Sequence, residues 1–218
     1  MCTGRMDPAM VAGAFKKGLD GLMVVGCYFG DCHYISGNYQ AKAKIEITQK
    51  LFEYIGVNKN RLAFRQCSSG EASVFVKLVS DFDAEIKELG PIGQGGDRLK
   101  SPEIFEKLKL ARTVLAGEKI RWVIGKRTPF LESGNMYGEI FTAHEFNRAI
   151  DMIIVEETEV QGILDHLKNG AQSVRNLAED LDIPSERVFR YVTALLRKDM
   201  IQLDKVTERV PFYGLIDG

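Results

Sequence analysis

Gly21-Leu22-Met23-Val24-Val25-Gly26-Cys27 is a short apolar run, rich in β-formers and closed by a cysteine. It does not alternate polar and apolar residues, which predicts a strand buried on both faces, the habit of parallel sheets. The flanking sequence supports that reading. Asp7-Pro8 joins a capping side chain to a proline at the first helical position, so a helix is expected to run to Lys17, with Gly18 as its stop. After a loop over 28–37, Asn38 is read as the cap of a second helix ending near Ile55. Arg61 to Cys67 reads as a second strand, and Gly70 to Leu89 as a third helix. In that helix Phe75, Val79, Phe82, Ile86 and Leu89 recur by fours and threes on one face. Strands separated by helices imply parallel pairing through right-handed crossovers, so the expected fold class is α/β, a small parallel sheet with flanking helices.

The rest of the chain changes character. Gly90 to Lys100 holds four glycines and a proline in eleven residues and reads as a linker. Ser101-Pro102-Glu103 opens a helix to about Gly117; Ile120 to Ile124 is read as a strand, and Thr128 to Gly138 as loop. A helix is expected over 143–168, broken near Glu156. A short helix over Ser173–Leu181, a Ser185-capped helix over 186–198, and β-like runs at Met200–Leu203 and Val210–Tyr213 follow. Three helices and a two-stranded wing form a winged-helix outline. The expected divisions are therefore 1–90, a cysteine-bearing α/β domain; 91–142, a linker and connecting region; and 143–218, a mainly helical, winged-helix-like domain.

The chain has 218 residues, which suits one large domain or two small ones. Lys plus Arg is 29 and Asp plus Glu is 30, a net charge of −1. That balance argues against a protein built mainly to grip nucleic acid or an anionic membrane. It also hides a split: residues 150–218 carry 13 acidic and 8 basic side chains, net −5, and residues 1–149 are net +4. No apolar run approaches the roughly 18 residues of a membrane span. The first residues show no apolar signal core, so a cytoplasmic location with reduced thiols is expected.

All four cysteines, Cys2, Cys27, Cys32 and Cys67, lie in the basic part. Cys27 and Cys67 each close a predicted strand, and Cys2 precedes the first helix. The carboxyl ends of parallel strands are where open α/β sheets place ligands, so the thiols are expected to face one crevice. Cys27-Tyr28-Phe29-Gly30-Asp31-Cys32 has the Cys-x₄-Cys spacing that also wraps plant-type [2Fe–2S] clusters. Three readings stay open. An iron–sulfur site ranks first and a structural zinc site second, since zinc pairs are more often Cys-x₂-Cys. Core cysteines rank third, because Cys32 sits in a polar Gly-Asp-Cys-His loop. A thioredoxin-like dithiol would need Cys-x-x-Cys, which this sequence lacks. His33 is read as a surface residue before a ligand, and His144 and His166 as structural. Gly93-Gln94-Gly95-Gly96 lacks the lysine and hydroxyl of a phosphate loop.

Cys2-Thr3-Gly4-Arg5-Met6-Asp7-Pro8, Gly18-Leu19-Asp20-Gly21, Gly26-Cys27-Tyr28-Phe29-Gly30-Asp31-Cys32-His33-Tyr34 and Gly37-Asn38-Tyr39 together resemble the delta subunit of methyl-viologen-reducing hydrogenase, over about residues 1–90. The resemblance implies a small electron-transfer module with one [2Fe–2S] cluster. Such modules pass electrons between an oxidoreductase, such as hydrogenase or formate dehydrogenase, and the FAD of a heterodisulfide-reductase-A-like subunit. Related modules occur in other flavin-based bifurcating complexes. Family members begin earlier, with a strand and a Cys-x-x-Cys pair ahead of the Cys-Thr-Gly-Arg motif, and cysteine is not usual at the position of Cys67. The candidate ligands are therefore Cys27 and Cys32, then Cys2, then Cys67. The C-terminal region resembles extensions on some bacterial members. By analogy a winged helix would read DNA through Arg187, Arg190, Arg197 and Lys198, but the net −5 of this part favours docking to protein. The rival readings are a metal-sensing or redox-sensing winged-helix regulator and a zinc-stabilised scaffold.

Overall fold

A computed structural model describes residues 2–216. Packing divides the chain into two compact units, Met1–Val155 and Glu156–Gly218.

The first unit is α/β. Helix α1 (Pro8–Lys16) begins at Asp7, whose Oδ1 accepts the Ala9 amide at 2.9 Å, and ends before Gly18 at φ +92°. Strand β1 (Leu22–Gly26), helix α2 (Gly37–Tyr54), strand β2 (Leu62–Gln66) and helix α3 (Ala72–Leu89) follow. The two strands pair in parallel, Leu22 opposite Leu62 and Gly26 opposite Gln66. Phe15, Ile45, Leu51, Phe52 and Leu62 are fully buried around them, with Phe15 and Phe52 edge to face at 5.1 Å. Burying each such side chain contributes about 1.5–3 kcal/mol.

Helices α4 (Glu103–Ala116) and α5 (Glu118–Glu132) complete this core through Ile104, Leu108, Leu115 and Ile120. Here the structure corrects the sequence reading. Ile120–Ile124 is helix, not strand: Ile120, Val123 and Ile124 are buried together because steps of three and four put them on one helical face. Part of the expected 128–138 loop is helix as well, since α5 continues through Pro129 to Glu132. The residue four before Pro129, whose carbonyl would face the proline ring, is Gly125, and a side chain there would meet open space.

The glycine-rich stretch is not a slack linker. Arg61, fully buried, aims its guanidinium into it. Nε and Nη2 pair with the Asp97 carboxylate at 2.9 and 2.8 Å, Nη1 donates to the carbonyls of Asp20 and Gly90 at 2.9 Å each, and Nη2 donates to that of Gly95 at 2.9 Å. Asp97 also accepts the amides of Asn58 and Gly93, and Asp20 accepts that of Ile92 at 2.7 Å. Gly93 and Gly96 stand at positive φ, so glycine is what lets the chain wrap the cation.

Helix α3 forms as its periodicity predicts, but its apolar face is covered unevenly. Phe82 is buried, Ile86 packs where a Gly21 side chain would stand, and Phe75 and Val79 stay exposed.

The second unit is mainly helical. Helix α6 (Ala143–Leu167) has no break at Glu156, against the expectation; its start, boxed by reciprocal Thr142–Glu145 bonds, belongs to the first unit, and the second begins at Glu156. Within the unit come β3 (Gln172–Ser173), α7 (Val174–Leu181), α8 (Ser185–Arg197), β4 (Ile201–Thr207) and β5 (Val210–Leu215). The strands form an antiparallel sheet in the order β3-β5-β4. The hairpin turns at Glu208 and Arg209, both at positive φ. Ile163, Leu177, Val188, Val192, Leu195 and Ile201 form a separate core, and Glu159 holds Arg187 at 2.8 Å and the Tyr191 hydroxyl at 2.9 Å. Among the described residues, no helix is long and apolar enough to cross a membrane.

Candidate functional site

Parallel pairing decides where two cysteines go. With Gly26 opposite Gln66, Cys27 and Cys67 leave the sheet side by side at its carboxyl end. The Cys67 amide bonds to the Gly26 carbonyl at 2.9 Å, and the Gln66 side chain donates to the Cys27 carbonyl at 3.1 Å. The chain then reverses at Gly30, φ +93°, and returns Cys32 toward the start of α2.

Asn38 fixes that loop. It is not the cap of α2: it lies inside the helix, fully buried, with Nδ2 donating to the carbonyls of Cys27 at 3.2 Å and Tyr28 at 2.6 Å. A capping asparagine and one that ties down a neighbouring loop look alike in sequence.

Cys2 arrives from the other side. It precedes the 3₁₀ turn Thr3–Arg5 as its cap, and its Sγ accepts the Gly4 amide at 3.4 Å. Its Sγ lies 3.9 Å from that of Cys32. This approach requires glycine at position 37, where a Cβ would stand 2.3 Å from Cys2 Sγ and 3.2 Å from Cys32 Sγ.

All four cysteines line one cavity of about 700 Å³, together with Tyr28, Asp31, His33, Tyr34 and Glu71 among others. Cys2 and Cys32 are in contact, and Cys27 hydrogen-bonds to Cys32. Cys67 shares the cavity, but its thiol faces the carbonyls of Ser68 at 3.3 Å and Glu71 at 3.5 Å in its own loop.

The electrostatics separate two thiols. Burial pushes the Cys27 thiol up, and its hydrogen bond to Cys32 and the nearby charge add to that. Burial also opposes ionisation of Cys32, but the amides of Tyr34 and Asn38 and the thiols of Cys27 and Cys2 donate to it, and the balance holds it below the usual thiol range. Of this pair, Cys32 is thus the one favoured as thiolate, the form that binds metal.

Among the described residues, no three His, Cys, Asp or Glu side chains are grouped to hold a metal ion. The thiols stand instead around the wall of a cavity. His33 is exposed and edge-on to Tyr34 at 5.1 Å. Of the aromatic residues near the loop, Phe29 is packing, stacked on Tyr39 at 4.5 Å and on Phe64 at 6.4 Å. Tyr28, Tyr34 and Tyr39 expose their rings, and the Tyr28 hydroxyl, bonded to the Glu71 carboxylate, is raised by that bond.

Residues 1–90 match the family described as methyl-viologen-reducing hydrogenase, delta subunit. Over 90 residues, 41% of the chain, it is 38% identical to an iron-sulfur subunit of the F420-non-reducing hydrogenase of Archaeoglobus profundus and covers 66% of that protein. It is 36% identical to the vhu hydrogenase iron-sulfur subunit of Methanocaldococcus jannaschii over 90 residues, covering 67% of it. It is also 38% identical over 93 residues, 43% of the chain, to one subunit of the ferredoxin:CoB-CoM heterodisulfide reductase of Methanosarcina mazei, but spans only 12% of that longer protein.

Proposed function

The chain belongs to the methyl-viologen-reducing hydrogenase delta-subunit family, and from that premise we propose that residues 1–90 form an electron relay carrying one [2Fe–2S] cluster. The observation that carries the reading is the convergence of four thiols on one cavity at the carboxyl end of the parallel sheet. The all-sulfur donor set suits iron–sulfur ligation. Thiols spread around a cavity suit a group with its own bridging sulfides better than a single ion. The relatives named iron-sulfur subunits support the same choice.

When bound, the cluster supplies reversible one-electron chemistry. The chain's own residues would hold and tune it. Cys27, Cys32 and Cys2 are the leading ligands, and Cys67 the fourth after its thiol turns from its loop carbonyls. The amides of Gly4, Tyr34 and Asn38 already donate to cysteine sulfur, and such donors favour the charged state of a sulfur-ligated centre. Exposed Tyr28, Tyr34 and Tyr39 offer a surface where a partner would exclude water. The partners proposed are a heterodisulfide-reductase-A-like FAD subunit on one side and a hydrogenase, formate dehydrogenase or other oxidoreductase subunit on the other, in the cytoplasm. The support for this placing is that the relatives are named for hydrogenase and for heterodisulfide reductase.

The test is iron and acid-labile sulfide content, with an EPR spectrum after dithionite reduction. Two irons and two sulfides per chain with a reducible signal are expected; zinc, or no metal after anaerobic preparation, would overturn the relay. Cys27→Ala and Cys32→Ala should each abolish the cluster. A Cys67→Ala protein that keeps it would remove Cys67 from the ligand set.

The C-terminal unit is read as winged-helix-like, supported by its helix–strand–helix–helix–hairpin order. The acidic balance of residues 150–218 makes a protein the preferred occupant. A gel shift showing sequence-specific DNA binding at physiological salt would instead favour the regulator reading.

A further inference from the structure

We propose that Lys44, which is no ligand, is the positioning residue for Cys2; the proposal rests on the cluster reading above. Lys44 lies about two turns into α2, on the helix whose first turn donates an amide to Cys32. Its Nζ donates to the Gly4 carbonyl at 2.5 Å. Gly4 is thereby held at three points: its carbonyl by Lys44, its amide by Cys2 Sγ at 3.4 Å, and its Cα against Gly37, whose carbonyl oxygen a Gly4 Cβ would meet at 2.5 Å. The 3₁₀ turn Thr3–Arg5 is closed by Arg5 and Met6 amides on the carbonyls of Cys2 and Thr3 at 3.0 and 2.9 Å. A short turn of this kind is weakly stable alone, so a charged donor on its central residue decides whether it stays docked.

The lysine is itself steered. Burial disfavours its charge, while the Asp7 carboxylate and the Cys2 sulfur favour it and the Arg121 guanidinium opposes it. Asp7 caps α1 and pairs with Arg121 on α5 at 2.6 Å. The ammonium is therefore aimed between the α1 cap and the cysteine turn, and does not simply wave in solvent. Without it, only the turn's own backbone bonds and the weak sulfur contacts of Cys2 would hold the turn beside Cys32.

The test uses the full chain, metal-free and reduced, then cluster-loaded. In Lys44→Met the amides of residues 2–6 should exchange with solvent about tenfold faster, while those of 9–16 and 38–54 keep their wild-type rates. Lys44→Arg should restore protection. Gly4→Ala, which leaves Lys44 intact but pushes the turn from Gly37, should loosen the same residues. In loaded protein, iron release to a chelator should quicken about tenfold in Lys44→Met and recover in Lys44→Arg. Unchanged exchange at 2–6, or loosening spread equally over 9–16 and 38–54, would overturn the proposal. A wild-type chain that takes up no iron would sink the cluster reading alone, because the exchange data decide Lys44 separately.

Discussion

The two ends of the β1–β2 sheet meet opposite fates. At the amino end, Asp20 and Arg61 precede the strands, and a fully buried guanidinium satisfied by Asp97 and three loop carbonyls closes the fold. At the carboxyl end, the same two strands release Cys27 and Cys67 into an open cavity. One end pairs its polar groups with each other; the other gathers thiols on the wall of a cavity. The contrast separates what holds this unit together from what it presents for use.

The strongest way to break the contrast is at the closed end. Arg61→Met strands the Asp97 carboxylate in the core, and breaking a buried pair costs about 3–5 kcal/mol, read as a lower urea midpoint. Cys32→Ala should lose the iron yet leave the midpoint close to wild type, since it removes one small side chain at an open cavity. If Arg61→Met unfolds at the wild-type midpoint, the amino end is not the structural one.

Asn38→Ala should fall between. It removes one donor from each of the Cys27 and Tyr28 carbonyls, which keep the Gln66 side chain and the Asp31 amide, costing about 1 kcal/mol for each lost bond, and it frees the cysteine loop. Both a lower urea midpoint and weaker iron retention are expected, because this residue serves fold and site together. Gly37→Ala should act mainly on the site: its methyl would collide with Cys2 Sγ, so iron affinity should drop by about tenfold or more with a smaller change in midpoint.

The smallest effect is one of pH. Burial raises the pKa of Asp7, but the Ala9 amide, Arg121 and Lys44 lower it by more, so the folded value lies below the unfolded one of about 3.9. The stabilisation is thus present above the unfolded value and is lost as pH falls through the folded one. Asp7→Asn keeps a capping oxygen but has no carboxylate to protonate. Its stability difference from wild type should shrink as the pH falls below about 4, measured by urea melts at successively lower pH.

Much of this was legible in the residues. The run at 21–27, the Asp7-Pro8 start and the cysteines closing both strands place the sheet and its carboxyl end, because local burial and capping act over a few residues. The α3 periodicity predicted a helix but not which part of its face is covered, since coverage depends on what packs there. Ile120–Ile124 shows a different limit: a five-residue apolar run fits strand or helix, and only the core under α5 chose between them. The glycines of 90–96 looked like slack because a linker and a loop wrapped on a buried cation share a composition.

The sequence by itself determined an α/β front, a mainly helical back, and thiols at strand ends, all consequences of short-range pattern. Tertiary structure decided that Arg61 locks the glycine loop, that Asn38 pins the cysteine loop instead of capping its helix, and that Cys2 reaches Cys32 across 30 residues of chain. Those outcomes depend on groups far apart in sequence being desolvated together, and no local pattern records which distant partner satisfies a buried charge, carbonyl or thiol.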